Sequence, residues 1–344
     1  MMKTILTTLT LAATTFAALG QIPNRIGATP QELAAMAGRT LVVQLDPVDP
    51  EISAAILTEM KKKKNEAEGF KANYEASQQS YLDNIEAAMA QGWQFNEKVE
   101  FRTAEECKQL FLSKSPDHVV MKKEMYGATP FNSLSTSSGW RHYAMPFGVT
   151  ALRFYRTDVV GANKKGDLGF GDPDFQMYMI GDYGPLGKAL YSEDDLVATL
   201  KQAQKVIAWC IGREKPEDYF AYAKEQAELH CHLLQNKTVM AESNFNYKDI
   251  QESELREAYT RALEFVDHEQ LGKIYRSGAD DRVVFFAVPI GHVVGMGGES
   301  HIAYMKIAVD PSNDMIVHGS FPMAGGGVVR PYSKVDFKAL AKCK

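Results

Sequence analysis

Residues 99–127 read VEFRTAEECKQLFLSKSPDHVVMKKEMYG, and residues 263–291 read LEFVDHEQLGKIYRSGADDRVVFFAVPIG. Aligned without a gap, the two stretches are identical at Glu100/Glu264, Phe101/Phe265, Glu105/Glu269, Ser113/Ser277, Asp117/Asp281, Val119/Val283, Val120/Val284 and Gly127/Gly291. Most other positions keep their chemical character. We interpret each copy as a strand, a short helix and a second strand.

The helix in each copy has the same start signal. Thr103 and Asp267 are residue types that cap helix N-termini, and Glu106 and Gln270 follow them three residues later. This spacing is typical of a capping box, in which the cap and the third helical residue each bond the other's backbone amide.

The likeness between the two halves extends beyond these stretches. β-branched residues predict a strand over 40–45, and 238–242 is its equivalent. Each half also ends in a helix that a serine caps, Ser192 in the first and Ser333 in the second. We therefore predict an α+β fold with an internal duplication of the unit strand–helix–strand–helix–strand–strand–strand–helix, in which helices pack on mixed sheets.

This organisation divides the chain into segments. We predict a signal peptide over 1–20, an N-terminal lead over 21–38, a first repeat over 39–212 with a helical insertion over 51–92, a linking helix over 213–235 and a second repeat over 236–344.

The insertion carries an apolar stripe at helical spacing, formed by Phe70, Tyr74, Tyr81, Ile85 and Met89. We expect Asn65 and Gly69 to break or bend the helix before it. Such a stripe is core or a docking face for a partner, and we favour burial within its own repeat.

The N-terminus indicates export. Lys3 precedes an apolar run that ends in small residues before Gln21, which is typical of a secretory signal peptide cleaved near Gly20-Gln21. We therefore expect a secreted or periplasmic protein. No later segment has the length and hydropathy of a membrane span, and a formal net charge of −5 argues against nucleic-acid binding.

A resemblance agrees with export. The run from Tyr81 through Trp93-Gln94-Phe95 to Val99-Glu100-Phe101 resembles uncharacterised exported proteins of Bacteroidota-type Gram-negative bacteria. The expected N-terminal Gln21 is similar to those proteins too. The resemblance implies no activity, cofactor or site residue.

Four cysteines, Cys107, Cys210, Cys231 and Cys343, permit disulfides in an exported chain without requiring them. Cys107 occupies the position of Leu271 in the second copy, so we predict a buried thiol there. We also predict no Cys210–Cys231 disulfide, because these residues lie near opposite ends of an expected helix pair. The pairing pattern is otherwise open.

Two sets of side chains are candidate metal ligands. His230 and His232 are two apart, whereas ligand pairs on a helix are three or four apart. Asp167, Asp172 and Asp174 lie in a glycine-rich turn without the spacing of a calcium loop. For both sets, helix capping and turn formation are the alternative interpretations.

The sequence predicts no cofactor and no metal site, and it leaves any catalytic residue unknown. The glycine runs 295–298 and 325–327 do not join a strand to a helix as phosphate loops do. Ser300 lies in a stretch that departs from the G-x-S-x-G pattern at its last position.

The sequence favours a binding or assembly module of the cell envelope over an enzyme, with an unknown protein or small ligand as its partner. A hydrolase with its site in the groove between the repeats and an accessory subunit of an envelope complex are the alternatives. The candidate binding residues are Phe70, Tyr74, Tyr81, Trp140, His142 and His301.

Overall fold

A computed structural model describes residues 26–59, 64–125, 134–135, 141–142, 149–163, 167–184, 187–215, 217–243, 251–294, 300–320 and 331–343. Side chains at 59, 64–65, 125, 134–135, 141–142, 291–294 and 300–302 lie outside this description. The predicted signal peptide lies outside it too.

The helices are α1 (Pro30–Met36), α2 (Pro50–Glu59), α3 (Lys64–Gly92), α4 (Ala104–Ser113), α5 (Glu193–Ile211), α6 (Tyr219–His230), a 3-10 helix (Cys231–Gln235), α7 (Glu252–Ala258), α8 (His268–Ser277) and α9 (Lys334–Ala341). The strands are β1 (Thr40–Leu45), β2 (Val99–Thr103), β3 (His118–Met125), β4 (Leu134–Ser135), β5 (Arg141–His142), β6 (Thr150–Arg156), β7 (Gly161–Ala162), β8 (Leu168–Gly169), β9 (Phe175–Tyr178), β10 (Asp182–Tyr183), β11 (Ala189–Leu190), β12 (Thr238–Glu242), β13 (Leu263–Val266), β14 (Arg282–Val294), β15 (Ser300–Asp310) and β16 (Met315–Ser320).

Two five-stranded sheets share one topology. The strand orders are β2-β1-β3-β6-β9 and β13-β12-β14-β15-β16. In each sheet the first three strands are parallel to one another, and the fourth and fifth strands each pair in antiparallel fashion with the strand before them. The α+β fold class is confirmed. The duplication of one unit predicts this shared topology, and the duplication itself stays a prediction.

Helix α5 lies between the two sheets. Its residues 195–200 are all buried, whereas from residue 201 onward the buried positions form one stripe that ends at Cys210, so only the first part of the helix is enclosed on all sides. One continuous apolar core joins it to both sheets through residues such as Met121 in β3 and Phe286 in β14. The other faces of the sheets have their own cores, under α4 in the first sheet and under α7 and α9 in the second.

The insertion forms two helices, and the predicted break at Asn65 and Gly69 is wrong. Helix α3 begins at Lys64 and continues through both residues to Gly92. A glycine inside a helix costs about 1 kcal/mol, and the burial of Phe70 and Tyr74 outweighs that cost. None of the described helices combines the length and the apolar character needed to cross a membrane.

The linking helix is shorter than predicted. Helix α6 covers Tyr219–His230, and the 3-10 helix continues to Gln235. Helix α6 packs along β16, the edge strand of the second sheet. It therefore covers an edge that would otherwise present unpaired backbone groups.

The positions of the cysteines predict which disulfide can form. Cys210 is buried in α5, and the pKa of Cys343 is raised to about 12 by burial and by a hydrogen bond with Cys231. Because these two thiols are neighbours, we expect oxidised glutathione to link Cys231 to Cys343 and not to Cys210. Peptide mapping without reductant is the measurement, and a Cys210–Cys231 peptide would contradict the expectation.

Candidate functional site

The most promising site lies at the carboxyl ends of the parallel strands in the first sheet. Helices α2 and α3 connect β1 to β2 across one face of the sheet, and α4 connects β2 to β3 across the other. The chain therefore leaves β1 and β2 toward opposite faces, and a crevice opens between the two connections. Open α/β sheets bind ligands at such switch points.

A cavity of about 420 Å³ occupies this crevice. This volume is in the range of small-molecule sites. Its walls come from the β1–α2 connection, the first residue of α4, the inner face of α3 and the end of β3: Asp46, Pro47, Val48, Asp49, Pro50, Ile52, Tyr74, Gln78, Ala104 and Lys123. Most of the wall is apolar, and a few polar groups line it as well.

Lys123 is the most unusual group in this wall. It follows Val119 and Met121 at alternate positions of β3, so it points to the same core face of the sheet. Only 7% of the residue is exposed. Burial lowers its pKa to about 7, against an opposing effect of the Asp46 charge.

The Lys123 amine is held by helix α3. Its Nζ donates to Gln78 Oε1 at 2.7 Å and to the Ser77 carbonyl oxygen at 3.1 Å, and Ser77 Oγ lies at 3.5 Å. The rings of Tyr81 and Tyr191 flank it, with centroids 5.1 and 5.0 Å away. None of the ion pairs among the described residues includes Lys123, so neutral acceptors and aromatic rings surround the nitrogen.

Amide side chains organise the acidic part of the cavity. Gln44 donates to both carboxylate oxygens of Asp46, at 2.8 and 2.9 Å. Gln78 donates to the Asp46 carbonyl at 3.0 Å while its own oxygen accepts from Lys123. Gln78 therefore fixes the β1–α2 connection and the lysine at the same time.

The corresponding position in the second sheet carries an ionic cluster. The residue at the start of α8 is His268, where α4 has Ala104, and the last residue of β12 is Glu242, where β1 has Gln44. His268 Nε2 lies 2.9 Å from Asp195 Oδ1, and Nδ1 lies 3.4 Å from Glu242 Oε2. The position that is Ala104 in the first sheet is thus an imidazole between two carboxylates in the second.

This cluster holds His268 in its charged form. Burial by itself lowers the pKa of His268, but hydrogen bonds and charges from Asp195 and Glu242 outweigh burial and raise the pKa to about 10. A histidine that stays protonated at neutral pH cannot act as a general base. The cluster therefore joins α5 to the second sheet through a charged histidine.

The second sheet also has a buried lysine, and it is paired. Lys306 lies in β15 and faces Ala287 of β14, whereas Lys123 lies in β3 and faces Leu152 of β6. Since β14 corresponds to β3 and β15 to β6, the two lysines are on different strands of the equivalent pair. Lys306 Nζ lies 3.5 Å from Asp336 Oδ2. Lys123 differs because the described residues give it no carboxylate partner.

The predicted metal ligands do not converge. Asp174 pairs with Arg156, with 2.9 Å between Oδ1 and Nε, and Asp167 bonds to Asn163 in the turn. Asp172 is exposed, and His230 and His232 lie at the end of α6 and in the 3-10 helix. In the described part of the chain, no three His, Cys, Asp or Glu side chains are arranged to hold a metal ion.

The predicted binding residues fall into three groups: buried, buried and lining the cavity, and outside the description. Phe70 and Tyr81 are buried in the chain, which confirms the favoured core interpretation of the stripe. Tyr74 is buried as well, and it lines the cavity. Trp140 and the side chains of His142 and His301 lie outside the described residues.

Sequence reasoning missed Lys123, Asp46, Gln78 and Ala104 as site residues. A lysine on the core face of a strand with the pattern Val119, Met121, Lys123 was a readable signal, because charged residues are rarely fully buried without a role or a partner. The contact between Lys123 and Gln78 could not be predicted from the sequence, since the two residues are 45 positions apart.

Comparison with known proteins identifies no relative. No family model, no curated protein and no solved structure matches this chain. The chemistry of the cavity residues is therefore the basis on which a function can be proposed.

Proposed function

We propose that this protein is an exported binding module that holds a small organic ligand in the cavity at the carboxyl ends of β1 and β2. The observation that carries the proposal is the cavity at this switch point, whose mostly apolar wall includes the buried Lys123. The second sheet has His268 at the position of Ala104, and Asp195 and Glu242 hold that imidazole.

The lining residues favour a ligand with an apolar body and one polar end. Val48, Ile52 and the ring of Tyr74 supply apolar contacts. The polar groups come from Asp46, Asp49, Gln78 and Lys123. A few polar groups in a mostly apolar wall are typical of sites that orient a small molecule.

Binding has more support than the two alternatives. For a hydrolase between the repeats, the charged cluster there offers a histidine that is already protonated. For an accessory subunit that docks through the stripe, Phe70 and Tyr81 are inaccessible at 1% exposure each. Binding of a small ligand in the cavity requires neither a catalytic base nor an exposed apolar face.

Blocking the cavity mouth tests the proposal. Ala104 is exposed at the first position of α4, so Ala104→Trp should fill the opening without disturbing the core. We expect small alcohols, amines and carboxylates, benzyl alcohol among them, to include binders of the wild type whose affinity falls about tenfold or more in this variant. Saturation-transfer NMR is the measurement.

The matched control is Glu105→Trp, an exposed change at the next position of the same helix that does not line the cavity. It should bind as the wild type does. The proposal would be overturned if no probe binds the wild type, or if both tryptophan variants weaken binding equally.

A further inference from the structure

We propose that Lys123 is a covalent attachment site, and that the ligand's polar end is an aldehyde or ketone carbonyl that forms an imine with the Lys123 amine. This inference rests on the proposed function, because it assigns the chemical class of the ligand in the same cavity. It adds a bond-forming step that binding alone does not require.

The hydrogen bonds of Lys123 position the amine at the cavity wall. Gln78 Oε1 at 2.7 Å and the Ser77 carbonyl at 3.1 Å are its close acceptors, and Ser77 Oγ is a more distant one at 3.5 Å. A neutral amine has two N–H donors and one lone pair. When the two close acceptors engage both donors, the lone pair is left for a carbonyl carbon in the cavity that Lys123 lines.

Burial outweighs the groups that stabilise the ammonium. The rings of Tyr81 and Tyr191 attract a cation and the Asp46 charge raises the pKa of Lys123, but no described carboxylate forms an ion pair with the nitrogen. Burial lowers the pKa of Lys123 to about 7, so a large fraction of the amine is unprotonated at neutral pH. Lysines in apolar sites gain nucleophilicity in this way and form Schiff bases with carbonyl compounds.

The step balances without a further reactant. The nitrogen lone pair forms a bond to the carbonyl carbon while the C=O π electrons move to oxygen, and one amine proton transfers to that oxygen to give a carbinolamine. The C–O bond then breaks, the C=N bond forms, and oxygen leaves as water with both amine protons. Uptake of one proton restores an N–H that can donate to Gln78.

Reductive trapping tests this inference. The full chain is incubated with benzaldehyde, sodium borohydride reduces any imine to a stable benzylamine, and peptide mass spectrometry measures benzylation at each lysine. At pH 7.5 we expect Lys123 to react about tenfold faster or more than any other lysine, since exposed amines are mostly protonated there. Lys123→Arg should abolish this fast phase.

Lys122 provides the matched control. It is the adjacent residue of β3, it points to the other face of the sheet, and it pairs with Glu124 at 3.2 Å. Lys122→Arg should therefore leave benzylation of Lys123 unchanged. If Lys123 reacts no faster than Lys122 and the exposed lysines, the inference is overturned.

Benzyl alcohol separates this inference from the proposed function, because it matches benzaldehyde in shape but lacks a carbonyl. If it binds in an Ala104-dependent manner and Lys123 is not benzylated, the covalent step is wrong and binding stands. If neither probe engages the cavity, both proposals fail.

Discussion

Replacing His268 by alanine should lower the free energy of unfolding by about 3–5 kcal/mol at pH 7, because it leaves buried carboxylates without their cation. Asp195 is 1% exposed, and its Oδ1 accepts from His268 while Ser192 occupies Oδ2. Glu242 loses its partner as well. Urea denaturation of both proteins gives the difference directly.

Two further variants show whether the carboxylates cause the loss. Glu242→Gln in the His268→Ala background copies the first sheet, where Gln44 and Ala104 stand together, and it should recover part of the stability. Lys273→Ala, on the exposed side of the same helix, breaks a surface ion pair with Glu269 and should cost less than about 1 kcal/mol. A loss below that value for His268→Ala would contradict a stabilising role for the cluster.

Local signals in the sequence were sufficient for much of the fold. The predicted capping box at Thr103 and Glu106 is present with both of its hydrogen bonds. At Asp267 one of the two expected bonds is present, in which the carboxylate accepts from the Gln270 backbone amide. These signals succeed because each involves residues only three positions apart, where sequence spacing alone decides which atoms meet.

One cap shows the limit of such signals. Ser333 precedes α9 as predicted, but its hydroxyl donates to the Asp336 carboxylate at 2.7 Å and does not cap the backbone. Asp336 also pairs with Lys306 of β15. The serine's partner is therefore set by a charge network that includes a distant strand, and the helix signal alone could not reveal it.

The candidate site depends on contacts of the same long-range kind. The alignment of the two stretches already places Ala104 opposite His268, so the difference itself was visible. Its meaning was not, because the partner of His268 is Asp195, which is 73 positions away. The cavity could be recognised only after α3 had been placed against the first sheet, since Tyr74 and Gln78 of α3 form part of its wall.

The pH dependence of stability should reveal opposite contributions from Lys123 and His268. Between about pH 7 and pH 10, Lys123 is neutral in the folded chain and protonated in the unfolded chain, so its contribution to stability rises with pH. His268 is protonated in the folded chain and neutral in the unfolded chain above about pH 6.5, so its contribution falls until about pH 10. Each slope is about 1.4 kcal/mol per pH unit, and in the wild type the two nearly cancel.

Single substitutions should separate the two slopes. Relative to wild type, Lys123→Met should lose stability by about 1.4 kcal/mol per pH unit across this window, and His268→Ala should gain it at the same rate. Urea midpoints at pH 7, 8.5 and 10 measure both, and the comparison with wild type cancels the exposed tyrosines and lysines that titrate there. Lys122→Met removes the neighbouring lysine, which pairs with Glu124 at the opposite face of the sheet, and as the matched control it should follow the pH dependence of the wild type. Parallel stability curves for all four proteins would show that neither buried group carries the proton assigned to it.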